Sequence, residues 1–178
     1  MLAPAPRYAP AAIALHWLMA MLVIASFVMG LLFEAVAKEW DATYLNVHAI
    51  IGTAILLLVI ARLYIRLRNA PPALPADTSP LIATFAHATH WTLYALMFAV
   101  PAIGLVALFA RGKGIDLGIF QIASPLERSR ELGRSAKGLH ELAAYGLMAL
   151  VALHFAAAML HQYVWRDALL SRMMPGRK

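Results

Sequence analysis

The chain has 178 residues, of which 62% are hydrophobic and only 13% are charged. Its mean hydropathy of +0.72 is far above that of a soluble globular domain, which indicates an integral membrane protein with little mass outside the bilayer. The absence of cysteine excludes disulfides, cysteine-ligated iron–sulfur clusters and thiolate ligation of a metal. The net charge of +6 lies at the ends and connections of the apolar segments. It suits anionic lipid or an anionic substrate and does not indicate nucleic-acid binding.

Four apolar stretches are each long enough to cross a bilayer, for which about 20 residues are needed. They cover residues 11–33, 44–67, 81–109 and 138–165. We expect residues 1–10 to be a short leader and not a cleaved signal peptide, because the apolar run that follows is too long and lacks a clear cleavage pattern. The sequence therefore predicts an all-α fold, a four-helix transmembrane bundle that forms a single domain over residues 1–178.

The connections between these stretches differ in character. Residues 34–41 form a short charged connection, and residues 69–80 are rich in proline, which ends the second helix. Residues 111–136 form a long polar loop without apolar periodicity, and a loop of this length is usually functional or carries a short surface helix. Residues 171–178 form a basic tail.

An even number of spans places both termini on one side of the membrane. The 15 arginine and lysine residues divide eight to seven in favour of the terminal side, which favours cytoplasmic termini by a narrow margin. Four basic residues on the opposite, outer side form a cluster: Arg128, Arg130, Arg134 and Lys137. The basic cluster is either a solvated, lipid-facing loop or a surface that attracts an anion, and the sequence leaves both interpretations open.

Histidines lie at two depths of the predicted bundle. His140 and His154 are fourteen residues apart in the fourth span, so both imidazoles lie on one helix face, about 21 Å apart along the axis. His48 lies at the depth of His140, and His16 lies at the depth of His154, near the terminal side. A histidine inside a membrane span is costly and indicates function. Two stacked metal or haem sites are the natural interpretation.

Iron porphyrin accepts one imidazole on each face, and helix bundles commonly hold such cofactors in their cores. Depth alone does not fix the pairs, because His87 and His90 share the inner level and one helix face. Each of them is a candidate ligand, a hydrogen-bonding partner of a ligand, a quinone contact or a headgroup-level residue. The alternative is a haem-free protein whose histidines bind zinc or relay protons, although zinc prefers four clustered ligands.

Arg62 follows His48 by fourteen residues, so it shares that helix face and reaches the inner level. An arginine fork there suits a haem propionate, and a positively charged anchor on the cytoplasmic side explains it equally well. Arg134 and Lys137 flank His140 and are candidate partners of the outer propionates.

Several runs of sequence together resemble the bacterial cytochrome b561 family, and are most similar to its superoxide oxidase members. They are LHW in the first span, NVHAIIG and ARLYIRL in the second, AHATHWTLY and VPAIGL in the third, KGLHELAAYGLMALVALHFAAAMLHQYVWRD in the fourth, and SRMMPGRK in the tail. The resemblance covers about residues 10–178. It implies a dihaem protein of the bacterial inner membrane that passes electrons from superoxide to ubiquinone.

The resemblance also chooses among the histidine pairs that depth left open. It implies that His16 and His154 bind the iron of the inner haem b, and that His48 and His140 bind the iron of the outer haem b.

The resemblance further implies a quinone pocket near the inner haem, at His161 and Trp165. Superoxide would reach the outer haem, attracted by the basic cluster. A haem b subunit that carries electrons for a dehydrogenase or hydrogenase would have the same fold and haems, and is the second hypothesis. The short connections make no obligate protein partner evident.

Overall fold

The structure is a computed structural model that describes residues 7–74, 78–167 and 169–176. Its long helices are α1 (Pro10–Leu32), α2 (Asp41–Arg68), α3 (Pro80–Phe109) and α4 (Arg130–Leu160). Each is long and apolar enough to cross a membrane, which confirms the predicted four-helix transmembrane bundle. Most of the predicted leader and the last two residues of the basic tail lie outside the described residues.

The helix ends follow ordinary capping chemistry. Proline occupies the first turn of both α1 and α3, where its missing N–H would have no helical partner. Ser79 and Ser129 cap α3 and α4, since each hydroxyl accepts a backbone N–H three residues later. The two hydroxyls therefore satisfy backbone groups that a helix leaves without partners at its first turn.

Helix α4 begins at Arg130, so it is longer at this end than the predicted span. The predicted polar loop is correspondingly shorter, and three members of the basic cluster are helical. The rest of the loop carries a small antiparallel hairpin of β1 (Ile115–Asp116) and β2 (Gln121–Ile122). Asn46 fastens the hairpin to α2 through two hydrogen bonds of 2.8 Å with the backbone of Asp116.

The other end of α4 departs from a regular helix. After Leu160 the backbone forms a single π-helical turn, His161–Trp165, which ends at Arg166 in the left-handed conformation with φ 55°. The Arg166 N–H donates to the carbonyl of His161 and closes this turn. Turns of this kind are rare and occur often at functional sites.

The helices pack in chain order, α1 against α2, α2 against α3, and α3 against α4. Helix α4 approaches α1 and α2 much less closely than it approaches α3. A buried apolar cluster in the middle of the bundle takes residues from all four helices: Val23, Ile55, Leu93, Val100 and Leu147. Side chains, and not close backbone contacts, therefore join α4 to the first two helices in the middle of the bundle.

The end of the bundle that carries both termini is here called the terminal end, and the opposite end the hairpin end. The C-terminal segment, residues 169–176, crosses the terminal end. Trp17 donates to the carbonyl of Met173 at 2.8 Å, and the buried Arg172 donates to the carbonyl of Ala73 at 2.6 Å. The segment therefore joins α1 to the connection between α2 and α3.

Candidate functional site

Two pairs of histidine rings face each other across the interior of the bundle. The ring centroids of His48 and His140 are 6.1 Å apart at the hairpin end, and those of His16 and His154 are 6.3 Å apart at the terminal end. All four residues are half-buried. The structure therefore brings together the two pairs that the resemblance selected.

The spacing of both pairs fits a metal with one imidazole on each face. Two metal–nitrogen bonds of about 2.0–2.1 Å, with about 1.1 Å from each nitrogen to its ring centroid, give a centroid separation of about 6.2–6.4 Å. The helices that carry each pair make few close backbone contacts with each other, so the two rings of each pair meet across the interior and not at a tight helix–helix contact. Among the residues that the structure describes, no three histidine, cysteine or acidic side chains gather as a metal cluster. The arrangement therefore fits haem iron better than tetrahedral zinc.

At the hairpin end the ring of His140 is held in one orientation. Its Nδ1 lies 2.9 Å from the carbonyl oxygen of Val100, so the Nδ1–H donates and leaves the Nε2 lone pair for a metal. Gly104 makes this approach possible, because a Cβ there would lie 2.9 Å from both Cε1 and Nδ1 of the ring. The opposite ligand, His48, has its Nδ1 3.4 Å from the hydroxyl of Ser26.

At the terminal end the guanidinium of Arg62 lies beside His16. One of its terminal nitrogens is 2.8 Å from Nδ1 of His16, and its Nε donates to the hydroxyl of Tyr94 at 3.2 Å. Arg62 thus reaches the predicted depth and contacts the ring of a predicted ligand. Its assignment to a haem propionate stays a prediction.

A third imidazole lies at the terminal end. His90 on α3 has its ring centroid 5.4 Å from that of His154, with the ring planes at 69°. His90 is half-buried, whereas His87, one turn earlier, is exposed. The sequence placed both histidines at this level, and the structure distinguishes them.

The two residues of the predicted quinone pocket also lie together. The rings of His161 and Trp165 are 4.5 Å apart in an edge-to-face arrangement, and both belong to the π-helical turn. Asp167 pairs with Nδ1 of His161 through its carboxylate. Asp167 was not among the residues predicted for this site, although an acidic residue just after the end of an apolar span was the available signal.

The basic cluster lies on the exposed surface of the hairpin end. Arg134 lies four residues after Arg130, and Lys137 lies three residues after Arg134. The three side chains therefore share one face of the first turns of α4. Arg128 precedes the cap of the helix and is also exposed. Lys137, one turn from His140, forms an ion pair with Glu141, a partial neutralisation that was not predicted from the sequence.

The four apolar helices and the two facing histidine pairs define the class, an integral membrane bundle suited to two bis-imidazole metal sites. Comparison with known proteins narrows this class. A family model described as prokaryotic cytochrome b561 matches residues 7–176. The chain belongs to the prokaryotic cytochrome b561 family, whose members are oxidoreductases that bind b-type haems.

Individual relatives cover almost the whole chain. A probable superoxide oxidase CybB of Yersinia pestis is 33% identical over 97% of this chain and 98% of its own length. Cytochrome b562 of Cereibacter sphaeroides is 30% identical over 97% of this chain and 98% of its own length. Cytochrome b561 homolog 2 of Escherichia coli is 29% identical over 94% of this chain and 91% of its own length.

Proposed function

We propose that the protein is a dihaem b-type cytochrome that oxidises superoxide on the periplasmic side and passes the electrons through two haems to ubiquinone. The observation that carries this proposal is the pair of facing imidazoles at each end of the bundle, with ring centroids 6.1 and 6.3 Å apart. The likeness to a probable superoxide oxidase supports the choice of donor. This function requires the terminal end to lie in the cytoplasm, in the inner membrane of a bacterium.

In this proposal His48 and His140 hold the haem at the hairpin end, and His16 and His154 hold the haem at the terminal end. When bound, each haem would supply a one-electron couple, and two imidazoles on its iron would favour electron transfer over oxygen binding. The carbonyl of Val100 fixes the ring of His140. The apolar cluster between the two pairs keeps water and ions out of the path between them.

The basic cluster concentrates an anion next to the hairpin end. Several positive charges on one exposed surface attract the superoxide anion from a distance and raise the rate of encounter. This effect falls with ionic strength. Glu141 reduces the contribution of Lys137. The arginines, which the ion pair leaves unaffected, therefore supply most of the attraction.

At the terminal end, His161 and Trp165 form the proposed quinone site. The carboxylate of Asp167 engages Nδ1 of His161, which orients the ring and leaves Nε2 available to hydrogen-bond with a bound quinone. The edge-to-face contact with Trp165 holds the other side of the ring. Arg62, at the same end, has a fork of donors suited to a propionate of the inner haem.

The experiment that tests this proposal combines a haem count with turnover. Detergent-purified protein should contain two b haems per chain, with low-spin bands in its reduced-minus-oxidised spectrum, and should reduce ubiquinone when superoxide is supplied. His48→Leu and His16→Leu should each remove one haem. A single haem in the wild-type protein would show that one pair is wrong, and no haem would return the zinc or proton-relay alternative. Two haems without superoxide-dependent quinone reduction would refute the substrates alone.

One observation favours the second candidate, a haem b subunit that carries electrons for a partner dehydrogenase or hydrogenase. The tip of the hairpin exposes two large apolar residues, Ile119 at 90% and Phe120 at 56%. Exposed apolar groups of this kind often contact another protein. Purification in mild detergent should reveal such a partner, and Ile119→Ser with Phe120→Ser should abolish its recovery.

A further inference from the structure

The hairpin between α3 and α4 is apolar at its tip, where a turn that faces water is normally polar. The tip consists of the four residues that join β1 to β2, which are Leu117, Gly118, Ile119 and Phe120. All four are exposed, Ile119 to 90% and Phe120 to 56%. Turns in water usually hold polar residues together with glycine or proline. An exposed apolar group of this kind indicates contact with another apolar surface.

The polar groups beside the tip are paired within the hairpin. The carboxylate of Asp116 accepts hydrogen bonds from the N–H of Gly118 at 2.8 Å and from the side-chain amide of Gln121 at 3.0 Å. The N–H of Leu117 donates to the carbonyl of Phe120 at 3.0 Å. Lipid offers no hydrogen bonds, so a loop enters it only where its polar groups already have partners. These contacts lower the cost of moving the tip into lipid.

The base of the hairpin lies beside the helices and not beyond their ends. Its backbone is bonded at Asp116 to Asn46, in the second turn of α2 and two residues after the start of the apolar stretch. The residue before it, Ile115, is buried against Ala49 of α2 and Leu108 of α3. The hairpin therefore leaves the bundle at the level where α2 becomes apolar, which is the level of the membrane boundary.

The charges around the hairpin suit a lipid surface. Arg111 and Lys113 precede it, Arg128 follows it, and all three are exposed. Neither ion pair found among the described residues includes any of these cations. Apolar side chains flanked by lysine and arginine are typical of segments that lie in the membrane interface, where the cations meet anionic headgroups. Depth and charge together favour lipid over a protein as the contact of the tip.

We infer that the tip of the hairpin, residues 117–120, inserts into the surface of the bilayer and anchors the connection between α3 and α4 there. This inference goes beyond the proposed function and depends neither on haem nor on which side the hairpin end faces. Because Asn46 binds the hairpin, the anchor also holds it beside the helix that carries His48. A protein partner is the other occupant, and the test separates the two.

The test uses the absence of cysteine from the chain, which makes a single introduced thiol a specific reporter. Ile119→Cys is placed in nanodiscs of phosphatidylcholine and phosphatidylglycerol, with a single purified chain in each disc, and treated with a charged, water-soluble maleimide. The matched control is Glu127→Cys, an exposed position in the same connection. Leu57→Cys, 63% exposed in the middle of α2, is the lipid-facing reference. Mass spectrometry follows the labelling.

We expect Ile119→Cys to react about tenfold more slowly than Glu127→Cys, because an apolar surrounding disfavours the reactive thiolate and tenfold is the effect of one unit in the pKa of a thiol. A lipid-soluble maleimide should label Ile119→Cys and Leu57→Cys alike. Phe120→Cys should behave as Ile119→Cys does.

Two results would overturn the inference. The first is labelling of Ile119→Cys by the charged reagent at the rate of Glu127→Cys in the discs. Protection that then appeared only in native membranes would identify a protein partner as the occupant. The second is protection of Ile119→Cys from both reagents in the discs, which would show that the tip is buried in protein and not in lipid.

Discussion

Gly104 allows α3 to lie close to the ring of His140, so Gly104→Ala is a sharp test of the hairpin-end site. The new Cβ would lie 2.9 Å from Cε1 and from Nδ1 of His140. Carbon atoms prefer separations of about 3.5–4.0 Å, so the ring must retreat by roughly 0.6–1.1 Å. This displacement of the ring is unfavourable, because the same ring donates a hydrogen bond to the carbonyl of Val100 at 2.9 Å.

The expected cost follows from that hydrogen bond. Moving the ring away lengthens a 2.9 Å contact beyond hydrogen-bonding distance, and loss of such a bond at a half-buried site costs about 1–3 kcal/mol. Disturbing the partner of a metal-bound histidine typically weakens metal binding by about 10–100-fold. Alanine is favoured over glycine in a helix by up to about 1 kcal/mol, so the fold itself should survive the substitution.

The assay is haem content and affinity in purified Gly104→Ala, measured by pyridine haemochrome and by haem titration of protein produced under haem limitation. We expect the hairpin-end haem to bind about 10–100-fold more weakly and the terminal-end haem to be unaffected. Gly30→Ala is the matched control, since a Cβ there has no atom within 4 Å. Full loading of both sites in Gly104→Ala, with wild-type affinity, would refute the close contact between this helix and the ligand.

Three further predictions address the surfaces at the two ends. Reversing the charges of Arg130 and Lys137 to glutamate should slow superoxide consumption about tenfold at low salt and leave the haem spectrum intact; an unchanged rate at low salt would reject attraction by this surface. Asp167→Asn should impair quinone reduction while superoxide still reduces both haems, so stopped-flow spectra should show haems that stay reduced; normal reoxidation would contradict the role of this carboxylate. The backbone N–H of Gly118 and, with a smaller effect, the side-chain amide of Gln121 donate hydrogen bonds to the Asp116 carboxylate. They hold the pKa of Asp116 below its usual value of 3.8. Their stabilisation of the hairpin should be complete above pH 3.8 and decline as pH falls through the lowered pKa, with faster amide exchange at Gly118 as the measure.

The helices and the depths of the histidines were predictable, because both follow from regular geometry. A bilayer accepts few structures other than continuous apolar helices, so hydropathy located all four. The fixed rise and rotation per residue then placed His140 and His154 on one face, at the levels of His48 and His16. Helix geometry alone could not show which histidines pair with each other at the terminal end.

The remaining features depend on contacts between elements that no local pattern encodes. Helix α4 starts before the apolar run because the hydroxyl of Ser129 caps it, and the polar turns that follow carry no hydropathy signal. The hairpin depends on the side chain of Asn46, distant in sequence, which binds the backbone of Asp116. The difference between His87 and His90 arises from the packing of α3 on α4, which only the assembled bundle reveals.

Helix α4 supplies one imidazole of each facing pair, and it is the fourth of the four long helices in chain order. During synthesis, three spans therefore enter the membrane before either pair is complete. A chain interrupted before α4 retains His16 and His48 but neither of their partners, so it lacks both two-sided sites. In the proposed function, cofactor capture is therefore coupled to completion of the bundle, and a partly made chain would not hold a redox-active group bound on both faces.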